Sequence, residues 1–162
     1  MGVSYRCEPM RERLKINNDP AHIFSSIVFG DPATPLIETY PGDPLVIRLL
    51  DGAHEEQHAF NITGLSWKKE VNDPLSPTVQ EQSIGISEAF NILINNEYHA
   101  GDYLYYFGGI DDAWLGLWGI IRAYSTVQEH LLPLCRGNFI PQPEPLVPPE
   151  GAVCLLYTSR CV

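Results

Sequence analysis

The residues with the clearest capacity for chemistry lie in the segment AHEEQHAFNITG, residues 53–64. It places two histidines and two glutamates close together in sequence. Side chains alternate between the two faces of an extended chain, so His54, Glu56 and His58 would share one face of a strand. Two imidazoles and a carboxylate on one face are ligands of the kind that a non-haem metal centre uses. The segment is therefore a candidate metal site.

The composition limits the classes of partner. The chain has 162 residues, 44% of them hydrophobic, which is enough for one domain with a real core and additional tails. The formal net charge of −10 argues against nucleic-acid binding, which requires clustered Lys and Arg. No uncharged apolar run of about 18 residues is present, so no membrane span is predicted. The first twenty residues show no signal-peptide pattern.

Short apolar segments separated by turn residues predict strands from residue 23 to residue 124. About seven or eight strands, roughly ten residues apart and without a convincing amphipathic helix, predict an antiparallel β-sandwich. The polar stretch 68–83 is predicted to be a surface connection. The segment GDYLYY at 101–106 is typical of a tyrosine corner, where a Tyr hydroxyl ties a strand to the preceding loop. The predicted strands are 23–29, 36–40, 45–50, 58–62, 87–94, 103–107 and 117–124.

The regions outside these strands are predicted to be irregular tails. Residues 1–22 form a polar lead-in, 23–125 the domain, and 126–153 a linker that is rich in proline. The four cysteines, which include no Cys-x-x-Cys pair, fit neither a zinc site nor a dense disulfide framework. A bridge between Cys7 and Cys135 and free thiols both remain open.

The last nine residues, CLLYTSRCV at 154–162, resemble the translation of two abutting transposon mosaic-end sequences. We therefore expect these residues to be a sequence artefact, and leave them out of the fold reasoning. On this interpretation the natural protein would continue beyond about Ala152, and the chain would be a fragment of a longer one.

Two long segments carry a family resemblance. YPGDPLVIRLLDGAHEEQHAFNITGL (40–65) and HAGDYLYYFGGIDDAWLGLWGIIRAY (99–124) resemble the ligand segment and the closing hairpin of a cupredoxin domain of the multicopper oxidases. The resemblance covers residues 23–125. GDPATPLIETYPGD (30–43) followed by AHEEQHAFNITG (53–64) looks especially like large bacterial members related to manganese oxidases. The resemblance implies an all-β fold, a cupredoxin-like Greek-key β-sandwich.

The first motif of that family, His-x-x-His-x-His, is only partly kept. His58 falls on its first histidine, whereas Asn61 and Thr63 fall where the other two would be. The trinuclear copper cluster of the family needs several more imidazoles, and this domain offers none at the matched positions.

The second motif departs further from the family pattern. The resemblance places Tyr106, Phe107 and Gly108 at the His-Cys-His positions. Asp112 then takes the place of the following histidine, and Leu117 that of the axial methionine. A type 1 copper needs a thiolate and two imidazoles with a weak axial group. The domain is therefore expected to lack its own type 1 copper ligands.

A different metal site remains an alternative. If the two motifs lie side by side, six donors would suit manganese or iron(II); these are His54, Glu55, Glu56, His58, Asp111 and Asp112. The metal-ligand candidates taken forward are His54, Glu56, His58 and Asp112. The competing interpretation is that the carboxylates solvate a loop and that His58 is a hydrogen-bonded remnant near the core. No catalytic residue is predicted.

The resemblance implies a multicopper-oxidase-like parent, which couples oxidation of a substrate or metal ion to reduction of dioxygen. It implies copper in the parent, manganese as a possible substrate or ligand, and an extracytoplasmic location. This domain would be structural and inactive alone, packing against neighbouring cupredoxin domains of the same chain through the motif DDAWLGLWG (111–119). The alternative is a non-enzymatic scaffolding or cation-binding module that uses the acidic loop 54–58.

Overall fold

The computed structural model describes residues 5–52, 56–95 and 98–134. Most of the regular structure in these ranges is β-strand. Helices are short and lie mainly near the N-terminus: α1 (Met10–Ile16), a 3₁₀ turn (Pro20–His22), α2 (Ser26–Phe29) and, late in the chain, α3 (Asp112–Leu115). The strands are β1 (Ile37–Thr39), β2 (Leu45–Leu50), β3 (His58–Ile62), β4 (Trp67–Lys68), β5 (Thr78–Val79), β6 (Glu81–Ile84), β7 (Ala89–Ile94), β8 (Gly101–Phe107) and β9 (Trp118–Ala123).

The strands form one five-stranded sheet, in the order β1-β9-β8-β3-β6, and two pairs, β2-β7 and β4-β5. Only β1 and β9 run parallel; the other pairs are antiparallel. The chain passes between the five-stranded sheet and the β2-β7 sheet before β2, before β3, before β7 and before β8. Such crossings are typical of Greek-key sandwiches. The predicted all-β sandwich is confirmed.

The predicted strands at 36–40, 45–50, 58–62, 87–94, 103–107 and 117–124 correspond to β1, β2, β3, β7, β8 and β9. The polar stretch at 68–83 differs from the prediction, because it contains β5 and most of β6. β6 lies at the edge of the sheet and only Ile84 is buried, so its sequence is polar although it pairs with β3.

One core fills the space between the two main sheets. The inward row of β3 contributes Phe60 and Ile62, and β7 contributes Ile92 and Ile94, each at most 3% exposed. Aromatic rings from β8 complete this core: Tyr103, Tyr105 and Phe107. The alternation of side chains along each strand thus places every second residue in the core.

The outer face of the five-stranded sheet is covered by the N-terminal arm, residues 5–36. Trp118 on β9 is fully buried there, together with Ile120 and the arm residue Cys7. The guanidinium of Arg13 lies 4.7 Å from the ring centroid of Trp118. Arg13 itself is only 3% exposed, and it donates to the Ile23 carbonyl and to the Glu8 carboxylate. A cation that stacks on an aromatic face and donates hydrogen bonds to a carboxylate and a carbonyl can be buried at a lower cost.

The prediction of a strand at 23–29 was wrong, since Ser26–Phe29 is helix α2. Gly30, with φ of +77°, ends this helix in a conformation that favours glycine. The lead-in, expected to be irregular, contains helix α1. The guanidinium of Arg13 in α1 lies over the ring of Trp118 on the sheet and over the ring of Phe29 at the end of α2. Tertiary contacts of this kind outweigh β-propensity.

Arg122 forms a buried ion pair within the closing hairpin and an exposed one with the arm. Arg122 on β9 donates to both carboxylate oxygens of Asp102, its partner on β8, at 2.8 Å. It also donates to Asp31 in the arm at 2.6 and 3.0 Å. The hydrogen bonds that Arg122 donates to Asp102 raise the pKa of Arg122 further above its ordinary value. The two carboxylates therefore hold the guanidinium in place as a charged group.

The first residues of the predicted linker remain on the sandwich. The hydroxyl of Tyr40 accepts from the Gln128 backbone N–H and donates to the Leu131 carbonyl. The backbone N–H of Leu134 donates to the Asp43 carboxylate at 2.9 Å. The described chain thus stays attached up to residue 134. No helix in the described ranges is long and apolar enough to cross a membrane.

The predicted tyrosine corner is present. The Tyr103 hydroxyl donates to the His99 carbonyl at 2.9 Å and accepts from the His99 N–H at 3.0 Å. Burial raises the pKa of Tyr103 above its ordinary value, so the hydroxyl stays protonated near neutral pH. The corner fixes the loop before β8 to the strand itself.

We expect Tyr103→Phe to lower the free energy of unfolding by about 1 kcal/mol, because it removes both hydrogen bonds of the corner. Urea unfolding followed by far-UV circular dichroism measures the change. Tyr106→Phe, on the same strand, is the control and should change stability by less than about 0.5 kcal/mol. Equal losses in the two variants would show that the two hydrogen bonds of the corner add nothing to the free energy of unfolding.

Candidate functional site

His58 and Asp112 meet inside the molecule although 53 residues separate them in sequence. Nδ1 of His58 lies 2.7 Å from Oδ2 of Asp112. His58 is 8% and Asp112 2% exposed. When the carboxylate is ionised, Nδ1 carries a proton and donates to it, so the carboxylate selects the imidazole tautomer. The structure thus joins two of the four predicted metal-ligand candidates directly.

The loop between β8 and β9 positions Asp112. Asp112 is the first residue of α3, and its carbonyl accepts from the Leu117 N–H at 2.8 Å. Gly116 ends the helix with φ of +110°, a conformation that only glycine adopts easily. A Cβ at Gly116 would lie 2.2 Å from the carbonyl oxygen of Cys7. Glycine is therefore needed both for the turn and for the close passage of the N-terminal arm.

Tyr5 is a third member of the site, which sequence reasoning missed. Its hydroxyl donates to Oδ1 of Asp112 at 2.8 Å, so the two carboxylate oxygens serve two different partners. Burial, followed by the hydrogen bond to Asp112, raises the pKa of Tyr5 to about 12. No signal in the sequence pairs Tyr5 with Asp112, because 106 residues separate them and the arm has no motif. We call this arrangement the Tyr5–Asp112–His58 network.

The positions that the family resemblance assigns to type 1 copper ligands lie together. The ring of Phe107 meets that of His58 edge-on, with centroids 6.1 Å apart. The backbone N–H of Phe107 donates to the Leu117 carbonyl at 3.2 Å. Both Phe107 and Leu117 are below 10% exposed. One small buried region thus contains His58, Phe107, Asp112 and Leu117.

The two remaining first-motif positions lie elsewhere. Asn61 is opposite Tyr106 and Glu81 in the sheet, on the face away from His58. Thr63 follows the end of β3, where its N–H donates to the Leu104 carbonyl. Neither residue belongs to the Tyr5–Asp112–His58 network.

Of the other metal-ligand candidates, Glu56 is exposed, and its charge contributes to the raised pKa of Tyr5. His54 and Glu55 lie outside the described residues. Asp111 is exposed at the start of α3. Among the residues that the structure describes, no three His, Cys, Asp or Glu side chains form a group that could hold a metal ion. The four-residue metal site, which includes His54, stays a prediction.

Cys7 is a buried free thiol. Its Sγ lies 3.2 Å from both Thr34 Oγ1 and the Trp118 carbonyl oxygen. The suggested partner Cys135 is outside the described ranges, as are the tail cysteines and the predicted artefact at 154–162. Within the described part of the chain, Cys7 acts as a small packing residue under the arm.

Comparison with known proteins gives similarity at the level of structure only. No protein-family model matches the chain, and no curated protein matches it. Among solved structures it is similar to a multicopper oxidase, with 14% identity, a TM-score of 0.48, and 54% of this chain and 32% of that chain covered. It is also similar to a copper-containing nitrite reductase from Thermus scotoductus, with 25% identity and a TM-score of 0.45. That similarity covers 54% of this chain and 22% of the reductase chain. A laccase from Botrytis aclada is similar with 16% identity and a TM-score of 0.47, over 80% of this chain and 25% of the laccase chain. The chain spans a third or less of each of these chains.

We expect Asp112→Asn to lower the free energy of unfolding by about 2 kcal/mol, because a buried charge-assisted hydrogen bond to His58 becomes a neutral one. Denaturant unfolding at neutral pH measures the loss. The matched control is Asp111→Asn, an exposed neighbour with the same change in charge, which should shift stability by less than about 0.5 kcal/mol. Equal losses of stability in the two variants would contradict a stabilising hydrogen bond between Asp112 and His58.

We expect Gly109→Ala to destabilise the protein by about 1–3 kcal/mol, because the added Cβ would lie 2.3 Å from Oδ2 of Asp112. Gly108→Ala is the control, since its nearest contact would be an ordinary 3.6 Å. In an Asp112→Ala background the cost of Gly109→Ala should fall, which a double-mutant cycle measures. An unchanged cost in that background would show that the collision is not with Asp112.

Proposed function

We propose that this chain is a cupredoxin-like domain of a multicopper-oxidase-like protein and that it serves a structural role, without a type 1 copper site of its own. The parent would couple one-electron oxidation of a substrate or metal ion to the reduction of dioxygen, with copper held by other domains. An extracytoplasmic location and a relation to the large bacterial manganese-oxidase type belong to the same proposal. The support comes from the two sequence motifs and from the Greek-key strand arrangement.

The observation that carries the proposal is the absence of a thiolate at the matched ligand positions, where the ring of Phe107 lies beside a His58 that is hydrogen-bonded to Asp112. At the matched ligand positions, Phe107 offers a ring where a thiolate would be needed. Asp112 accepts from His58 and Tyr5 at 2.7 and 2.8 Å, distances that suit hydrogen bonds between the side chains. Leu117 alone would be tolerable, because the axial ligand is weak. The missing thiolate is decisive, and the donor set present does not fit a type 1 copper.

A structural domain needs a surface for its neighbours. Beside the site, the loop before α3 and the helix itself expose three large apolar side chains: Ile110 at 97%, Trp114 at 44% and Leu115 at 48%. Trp118, from the same motif, is instead fully buried under the arm. The contact surface for a neighbouring cupredoxin domain would therefore be residues 110–115, which include Ile110 and the first half of the motif and leave out its second half.

Cation binding is the second candidate function. Glu56 precedes His58 by two residues, and its charge contributes to the raised pKa of Tyr5, which donates to Asp112. With His54 these residues would supply nitrogen and oxygen donors that suit manganese. Binding would need Asp112 to give up at least one of its two hydrogen bonds, and the structural role is therefore preferred.

The test for copper is a titration of the purified protein with Cu(II), followed by visible absorption. The wild type should show no intense thiolate-to-copper band. The double variant Phe107→Cys, Asp112→His, which restores the thiolate and the second imidazole beside His58, should gain it. Asp112→His alone is the control, because it lacks the thiolate. A band in the wild type would overturn the proposal, and its absence in the double variant would contradict the assignment of the ligand positions.

Calorimetry with manganese separates the second candidate from the first. The structural role predicts no binding by the wild type at micromolar concentration. Binding that is lost in Glu56→Ala and in Asp112→Ala, but kept in the exposed control Glu81→Ala, would favour the cation site and contradict a purely structural domain.

A further inference from the structure

Residues 125–134, which we call the strap, follow β9 and lie on the surface of the sandwich. None of their side chains is buried. The large apolar ones stay exposed, with Val127 at 55%, Leu132 at 64% and Leu134 at 72%. Because the strap buries so little apolar surface, its attachment to the sandwich depends on its polar contacts.

Two side chains just after β1 hold the backbone of the strap. The Tyr40 hydroxyl accepts from the Gln128 N–H at 2.8 Å and donates to the Leu131 carbonyl. The Asp43 carboxylate accepts from the Leu134 N–H at 2.9 Å. These hydrogen bonds use backbone groups of the strap, so they fix its path without involving its side chains.

The side chain of His130 adds an ionisable contact between the strap and β1. Its Nε2 atom lies 2.8 Å from Oε1 of Glu38. The same carboxylate oxygen accepts from the Tyr124 hydroxyl at 2.7 Å. An ionised carboxylate has no proton to donate, so Nε2 of His130 carries the proton of this hydrogen bond. One oxygen of Glu38 thus joins β1, the residue after β9 and the strap.

The groups around Glu38 favour its ionised form. The hydrogen bond from His130, followed by the one from Tyr124, lowers the pKa of Glu38 below its ordinary value. The charge of Arg122, which lies opposite Glu38 in the register of β1 and β9, acts in the same direction. Arg122 is itself paired with two carboxylates, those of Asp31 and Asp102.

The direction of this pKa shift fixes the direction of the pH dependence. Ionised Glu38 stabilises the attached strap fully above the ordinary glutamate pKa of about 4.3. This stabilisation is lost as the pH falls through the lower pKa of the attached state. The physical reason is that a neutral carboxyl group accepts weaker hydrogen bonds than a carboxylate does.

We propose that the strap is an acid-sensitive device: ionised Glu38 holds it on β1, and protonation of Glu38 releases it while the sandwich stays folded. The sandwich can stay folded because the strap contributes no buried side chain to the core. Release would uncover Tyr40, which is 1% exposed while the strap is attached. The attached strap places Leu134 beside Asp43, and the released strap would not. This switch is independent of metal binding and of the structural role proposed for the domain.

Amide hydrogen exchange of the full chain, resolved by residue with NMR, tests the strap. The readout is the protection of the Gln128 amide, corrected for the intrinsic exchange rate, at about pH 6 and at about pH 3.5. We expect this protection to fall by about tenfold in acid. The amide of Ile120 in β9 should keep its protection, because the sheet stays folded.

Two variants and a matched control assign the effect to the contact between Glu38 and His130. Glu38→Gln keeps an acceptor oxygen but cannot ionise, so the Gln128 amide should show the low, acid-type protection at both pH values. His130→Ala removes the donor at an exposed side chain and should lower the protection at neutral pH likewise. Glu129→Gln makes the same change in charge at an exposed neighbour in the strap and should behave as the wild type.

Three results would overturn the proposal. Equal protection of the Gln128 amide at both pH values in the wild type would mean that acid does not release the strap. A parallel loss of protection at Ile120 would mean that the whole sandwich unfolds in acid. A pH dependence that persists in Glu38→Gln would assign the release to another group, of which Asp43 is the nearest in the attachment.

Discussion

The five-stranded sheet is apolar on both faces, and both faces must be kept from water. The β2-β7 sheet covers one face, and the N-terminal arm covers the other, where Trp118 is fully buried. Burying one large side chain is worth about 2–3 kcal/mol, so the arm contributes substantially to stability. Arg13 and the ion pair between Asp31 and Arg122 fix the arm in its position.

The same covering completes the candidate site. A buried carboxylate without partners costs several kcal/mol, and Asp112 is almost entirely buried. Its partners come from two distant parts of the chain, His58 on β3 and Tyr5 in the arm. Asp112 therefore joins the closing loop, the sheet and the arm at one point.

The sequence predicted the strands that are strictly alternating or strongly apolar, such as 45–50 and 58–62, with their observed bounds. It failed at 23–29, where Ser26–Phe29 forms helix α2 with Ile27 and Val28 exposed, so the β-branched residues there do not mark a buried strand. It also failed at β6, whose polar sequence reflects an edge position. The local sequence pattern shows the hydrophobic periodicity of a segment. It does not show which surface of the fold the segment will pack against.

For the site, the sequence by itself determined only the residue types: His58, Phe107 and Asp112 stand at the positions that the family resemblance matches to an imidazole, a thiolate and a second imidazole. Only the tertiary structure decided that His58 and Asp112 bond to each other, and that Tyr5 occupies the second carboxylate oxygen. The physical reason is burial. Three groups that would each be solvated in an open chain must satisfy one another once the arm closes over the sheet, and no pattern in the sequence encodes contacts between residues so far apart.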